Sequence, residues 1–71
     1  MIEKENLVEA IQRECNRVRE IVAQYRSLPN GLGEFGATWM SDLVRRSEKA
    51  IADQDVVACV TCLKELREVE R

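Results

Sequence analysis

The sequence predicts an all-α fold: a long N-terminal helix followed by an antiparallel helical hairpin, a three-helix unit occupying 1–71 as a single domain and completed as a dimeric helical bundle. Three observations carry this. Apolar residues recur at alternating spacings of three and four through most of the chain, which is the helical period. The only Pro and all three Gly fall between positions 29 and 36. A short polar break, Asp53-Gln54-Asp55, divides the C-terminal half into two pieces.

The first helix is expected over 2–28. Written as heptads, Ile11, Val18 and Tyr25 occupy a and Leu7, Ile21 and Leu28 occupy d. Val8, Cys15 and Val22 fall at e and widen the apolar stripe, with Glu14 as the one break at d. A face this wide suits packing against more than one helix. Pro29-Asn30-Gly31 ends the run, because Pro disfavours the α conformation of the residue before it and Asn-Gly favours a turn. The second helix is expected over about 35–52, starting between Gly33 and Thr38 with Thr38 and Ser41 as candidate caps, and with Trp39, Met40, Leu43, Ser47, Ala50 and Ile51 facing inward. Asp55 is placed to cap a third helix over about 56–69. Its expected inward face is Val56, Cys59, Val60, Leu63 and Leu66, and the last residues are expected to fray.

Lengths give the reason for a dimer. A first helix of about 26 residues spans roughly 39 Å, and hairpin helices of about 15 residues span roughly 22–25 Å. The hairpin then leaves part of the long helix uncovered, and a second copy is expected to cover it through Leu7, Val8, Ile11, Cys15 and Val18. A small domain has a thin core, so such help matters.

Composition excludes several classes. The chain is 45% apolar and 34% charged, and its 11 basic and 13 acidic residues are interspersed, for a net charge of −2. No long-range positive field draws it to nucleic acid or anionic lipid. No apolar run reaches the roughly 18 residues of a membrane span, and the N-terminal stretch lacks the pattern of a signal peptide. Three cysteines without a secretion signal fit a reducing cytoplasm better than a disulfide framework.

Gly31-Leu32-Gly33-Glu34-Phe35-Gly36 matches the G-x-G-x-x-G pattern of dinucleotide-binding domains. That motif works only after a strand and inside a βαβ unit, whereas here a helical stretch ending in Pro precedes it. The glycines are read as backbone relief at a helix–helix turn, and no cofactor is expected. Phe35 and Trp39, four apart, are expected to plug the end of the hairpin. If exposed, they and Met40 become anchors for a partner. Cys59-Val60-Thr61-Cys62 is half a metal site, but the chain has no His and one further Cys; core packing is expected, and no metal. Arg45, Arg46 and Lys49 form the one basic cluster and, with Arg13 or Arg17 from two subunits, the alternative nucleic-acid surface of a small dimeric DNA-associated regulator. Asp42, Glu48 and Asp53 interleave with the cluster and suggest a self-neutralised solvated face. No His, no Ser-centred elbow and no convergent carboxylates mark a catalytic centre, so no enzyme is expected.

The stretch EFGATWMSDLVRRSEKAIADQDVVACVTCLKELREVE (34–70), preceded by a charged amphipathic helix and YRSLP, resembles the small all-helical accessory proteins of lambda-like temperate phages and their prophages. The likeness lies in the layout and in F-G-A-x-W. It implies a protein that acts in the infected bacterial cytoplasm by binding host or phage factors. A non-enzymatic interaction or regulatory module acting as a homodimer is the function expected.

Overall fold

The computed structural model describes residues 6–69. Asn6 opens the first helix, α1 (Leu7–Arg26), with a capping box: its side-chain oxygen accepts the Glu9 N–H at 2.8 Å, and the Glu9 carboxylate accepts the Asn6 N–H at 3.4 Å. Two of the N–H groups that a helix start leaves without partners are thereby satisfied. Positions 2–5 of the expected helix lie outside the described residues. At its other end α1 stops two residues short of expectation, because Pro29 holds Leu28 extended (φ −69°, ψ 141°). Ser27 closes the helix, donating its N–H to the Ala23 and Gln24 carbonyls, both at 3.2 Å, and its hydroxyl to Gln24 at 2.7 Å.

A single 3₁₀ turn, Pro29–Gly31, with Asn30 in the left-handed region (φ 60°), leads to α2 (Glu34–Ala52). Gly33 occupies the cap position without a side-chain bond; Thr38 and Ser41 lie inside the helix. The C-terminus of α2 forms a Schellman motif: Asp55 N–H donates to Ala50 and Gln54 N–H to Ile51, both at 3.0 Å, with Gln54 at φ 56°. Asp55 then accepts the Ala58 N–H at 3.1 Å and starts α3 (Val56–Glu68). Gln54 stands where glycine is favoured, since a Cβ in the left-handed region costs about 1 kcal/mol or more. Gln54→Gly is expected to raise stability by about 0.5–1 kcal/mol, checked by urea denaturation against wild type.

Each helix packs on both others. Arg19 pairs with Glu48 and Arg26 with Ser41, so α1 and α2 run antiparallel. Arg46 of α2 meets Glu65 of α3 at 3.6 Å, and the chain runs up, down and up. The core comprises Ile11, Cys15, Val18, Ile21 and Val22 of α1, Ala37, Met40, Leu43, Val44 and Ala50 of α2, and Cys59 and Leu66 of α3, with Val69 just beyond it. Ser47 is fully buried among them, its hydroxyl donating to the Leu43 carbonyl at 2.8 Å. It completes the apolar stripe of α2 as the spacing predicts.

Several expectations about faces are corrected. With 20 residues in α1 and 19 in α2, about 30 and 28 Å, the two helices match in length. Of the expected dimer interface, Ile11, Cys15 and Val18 are therefore buried by the chain's own hairpin, Leu7 is half-buried against the core, and Val8 alone is exposed. In α3, Val56 and Val60 are exposed, while Cys59, Cys62 and Leu66 face inward and Leu63 is half-buried. The first two turns of α3 are apolar nearly all round, so two stripes fit the period and packing selects between them.

The expected aromatic plug is also absent from its place. Phe35 and Trp39 point outward, and Tyr25 of α1 fills the space instead, its side chain lying on Gly36 and its backbone on Gly33. A Cβ on Gly33 would stand 2.1 Å from the Tyr25 carbonyl oxygen, and one on Gly36 2.9 Å from the Tyr25 ring. The glycines are the surface on which α1 ends.

Candidate functional site

Because Ala37 and Met40 take the inward positions of α2, Phe35 and Trp39 lie off the buried stripe on its outer side. Phe35 is 88% exposed and Trp39 52%. Together with Arg26 and Arg45 they border an open hollow of about 450 Å³. A second hollow of about 620 Å³ continues along the α1–α2 seam, sharing Arg26, Ser41 and Arg45 with the first and adding Arg19 and Glu48 over a floor of Val22, Ala23 and Val44. The result is one groove with an aromatic end and arginine walls. No residue of α3 lines it. Leu28 and Leu32, in the connection between α1 and α2, are exposed as well. Met40, the third expected partner contact, is buried at 3% exposure and belongs to the core.

The arginines of the groove are held unequally. Arg19 pairs with Glu48, and Arg45 shares Asp42 with Arg46, whose Nε donates at 2.9 Å. Arg26 bonds the Ser41 hydroxyl at 3.5 Å and no carboxylate among the described residues. Lys49 pairs with Asp53 at 3.1 Å. Lys49 is thus neutralised by a neighbour one turn away, and Arg45 and Arg46 divide a single carboxylate one turn away, on a face of interleaved charges. Exposed pairs of this kind contribute little to stability, in the range of about 0–1 kcal/mol.

The other arginines proposed for a nucleic-acid surface are engaged elsewhere. Arg17 donates from Nε to Glu14 at 2.8 Å, and its two terminal nitrogens reach the carbonyls of Leu66 at 2.8 Å and Val69 at 3.0 Å. It ties the C-terminal end of α3 to α1. Glu14, the break in the α1 stripe, is buried, and Arg13 approaches its other oxygen at 3.6 Å.

Gly31 to Gly36 come after a helix and a turn, with Tyr25 where a phosphate would have to enter. Cys59 and Cys62 are free and buried in the body of α3, and among the described residues no three His, Cys, Asp or Glu side chains converge as a metal site. Burial pushes the Cys15 thiol up, against the pull of Arg19. It also pushes Cys59 up, with Cys62 and Asp55 adding to the effect. Both thiols therefore stay protonated and unreactive at neutral pH.

These raised thiols make stability depend on pH in the alkaline range. Below the ordinary thiol value of 9.0 both states hold the proton; above it the unfolded chain ionises first, so stability falls as pH rises from about 9 towards the folded values. The expected result is a decline in denaturation midpoint as pH rises above about 9 that is shallower in Cys59→Ala, with no alkylation of Cys15 or Cys59 by iodoacetamide in the folded protein.

A second exposed apolar surface lies at the opposite end of the molecule. Val8, Val56, Val57 and Val60 are 39 to 77% exposed. Leu7, Val8 and Val56 border a hollow of about 290 Å³ with no charged residue among the described ones that line it. Phase in α3 hid this surface from sequence reasoning, and the signal available was the unbroken apolar run Val56 to Val60, which covers more of the helix circumference than a single buried stripe. No described helix is long and apolar enough to cross a membrane. No protein-family model, curated protein or solved structure matches the chain.

Proposed function

We propose that this chain is a non-enzymatic interaction module that engages a protein partner through the groove ending in Phe35 and Trp39 and self-associates through the exposed apolar end formed by Leu7, Val8, Val56, Val57 and Val60. The observation that carries the reading is the exposure of Phe35 and Trp39 beside Arg26 and Arg45. Trp and Arg are the side chains over-represented among interface hot spots, and an aromatic pair left in water forfeits burial that a partner supplies. The setting implied by the resemblance to temperate-phage accessory proteins is the bacterial cytoplasm, with a host or phage factor as partner.

The dimer is assigned to the valine end because a two-fold interface sets each patch against itself. Around Leu7, Val8 and Val56 the described lining carries no charge, so it meets its own copy without repulsion. Sedimentation equilibrium at micromolar concentration is expected to give a dimer for wild type and a monomer for Val57→Glu. A monomeric wild type overturns the self-association. Partner engagement is checked by capture from bacterial lysate on immobilised protein: species held by wild type are expected to fall about tenfold on Phe35→Ser/Trp39→Ser. Unchanged capture by that variant removes the groove from the reading.

A further inference from the structure

We propose that the occupant of the α1–α2 groove is an acidic amphipathic helix of a partner protein, its apolar residues seated on Phe35 and Trp39 and its carboxylates on Arg26, Arg45 and Arg19. The inference rests on the interaction reading and specifies the partner's chemistry.

Charge favours an acidic occupant. The whole chain carries −2, yet the groove carries an excess of cations: Arg19, Arg26 and Arg45 line its walls, and Glu48 is the one carboxylate among the described residues that line the α1–α2 seam. Asp42, at the aromatic end, is divided between Arg45 and Arg46. Among the described residues Arg26 holds only a hydroxyl. A guanidinium in this position has donors left over, in a planar fork that matches a carboxylate. Incoming carboxylates satisfy Arg26 and relieve the sharing of Asp42. A second copy fits poorly, since a two-fold contact here sets arginine against arginine.

Shape favours a helical one. The groove runs between two antiparallel helices on the side that α3 leaves open, and its floor is the narrow apolar seam of Val22, Ala23 and Val44. Helix-in-groove docking uses such a seam, with anchors at i, i+3, i+4 and i+7, and the result here is a four-helix arrangement. The described residues contain no strand whose edge an extended peptide could join. Single-stranded nucleic acid also stacks on aromatics beside arginine. Such a strand carries a charge at every nucleotide, whereas Arg26 is the one arginine of the groove without a carboxylate partner among the described residues.

The test is a displayed library of amphipathic helices about 20 residues long, matched to α1, with charge randomised at the polar positions. It is selected on wild type and counter-selected on Phe35→Ser/Trp39→Ser, with circular dichroism confirming that each variant is folded. The expected winners are net acidic, bind about tenfold more weakly to Arg26→Glu and to Arg45→Glu, and recover on Arg26→Glu when their own Glu residues are exchanged for Lys. Winners that depend on Phe35 and Trp39 but are neutral or basic overturn the acidic helix and leave the interaction module standing. A selection in which nothing depends on Phe35 and Trp39 overturns both. Tighter binding of an oligothymidylate of about 20 nucleotides, or self-association lost in Trp39→Ser, identifies a different occupant and overturns the inference.

Discussion

Gly33→Ala is expected to destabilise the protein by about 3 kcal/mol or more, a fall in melting temperature of roughly 10–25 °C for a domain of this size. Backbone strain is not the cause, because Gly33 sits at φ −97°, ψ 2°, which alanine adopts. The cause is the 2.1 Å to the Tyr25 carbonyl oxygen and 2.7 Å to its carbonyl carbon. Both are backbone atoms in the last turn of α1, where Leu28 N–H donates to that same oxygen at 3.2 Å. Neither can swing away, so the whole helix junction must open.

Gly36→Ala is the informative comparison. Its Cβ meets only the Tyr25 ring, at 2.9 and 3.0 Å, and alanine gains about 1 kcal/mol over glycine within a helix. A net change within about 1 kcal/mol is expected, turning favourable in a Tyr25→Ala background. The same background leaves the cost of Gly33→Ala in place. Denaturant titration of Tyr25→Ala, the two glycine variants and the two double variants, five proteins beside wild type, decides it, and a Gly33→Ala protein as stable as wild type refutes the close approach.

Arg17→Ala is expected to cost about 2–3 kcal/mol, the second largest effect. The guanidinium holds Glu14 and two carbonyls at the end of α3, and charge-assisted bonds contribute about 1.5–3 kcal/mol each when shielded from water. The Arg17 side chain is 37% exposed, which lowers that sum through solvent screening. Its removal leaves the buried Glu14 carboxylate with Arg13 alone at 3.6 Å and returns the Leu66 and Val69 carbonyls to the state of unfilled helix-end acceptors. Arg17→Lys keeps the charge but lacks the fork that spans three acceptors, and less than half the loss is expected to return. Amide exchange provides the local readout: protection in the last turn of α3 should fall in Arg17→Ala while the centre of α2 changes only with global stability.

How much was legible from sequence differs by residue. Pro29, Asp55 and the Asp53–Asp55 break marked the helix ends to within a residue or two, since a missing N–H and an N-cap oxygen act on the backbone next to them. Glu14 read as a flaw in the α1 stripe and proved to be the anchor of Arg17, whose other acceptors lie 49 and 52 residues away. The groove was half legible. Phe35, Trp39 and Arg45 stand out in the sequence by type and spacing, whereas Arg26 and Arg19 do not, because nothing local to α1 indicates which arginines meet α2.

The all-α class, the order of the three helices and their breaks were determined by the sequence alone, because periodicity, capping and proline act over a few neighbouring residues. Tertiary structure decided which stripe of each helix is buried. Successive residues of a helix are about 100° apart, so moving the buried stripe by one position exchanges Phe35 and Trp39 for Gly36 and Met40, or Val60 for Cys59. No local rule separates those choices. The close seat of Tyr25 on two glycines and the summed packing of three helices do, and by turning the aromatics outward they create the groove.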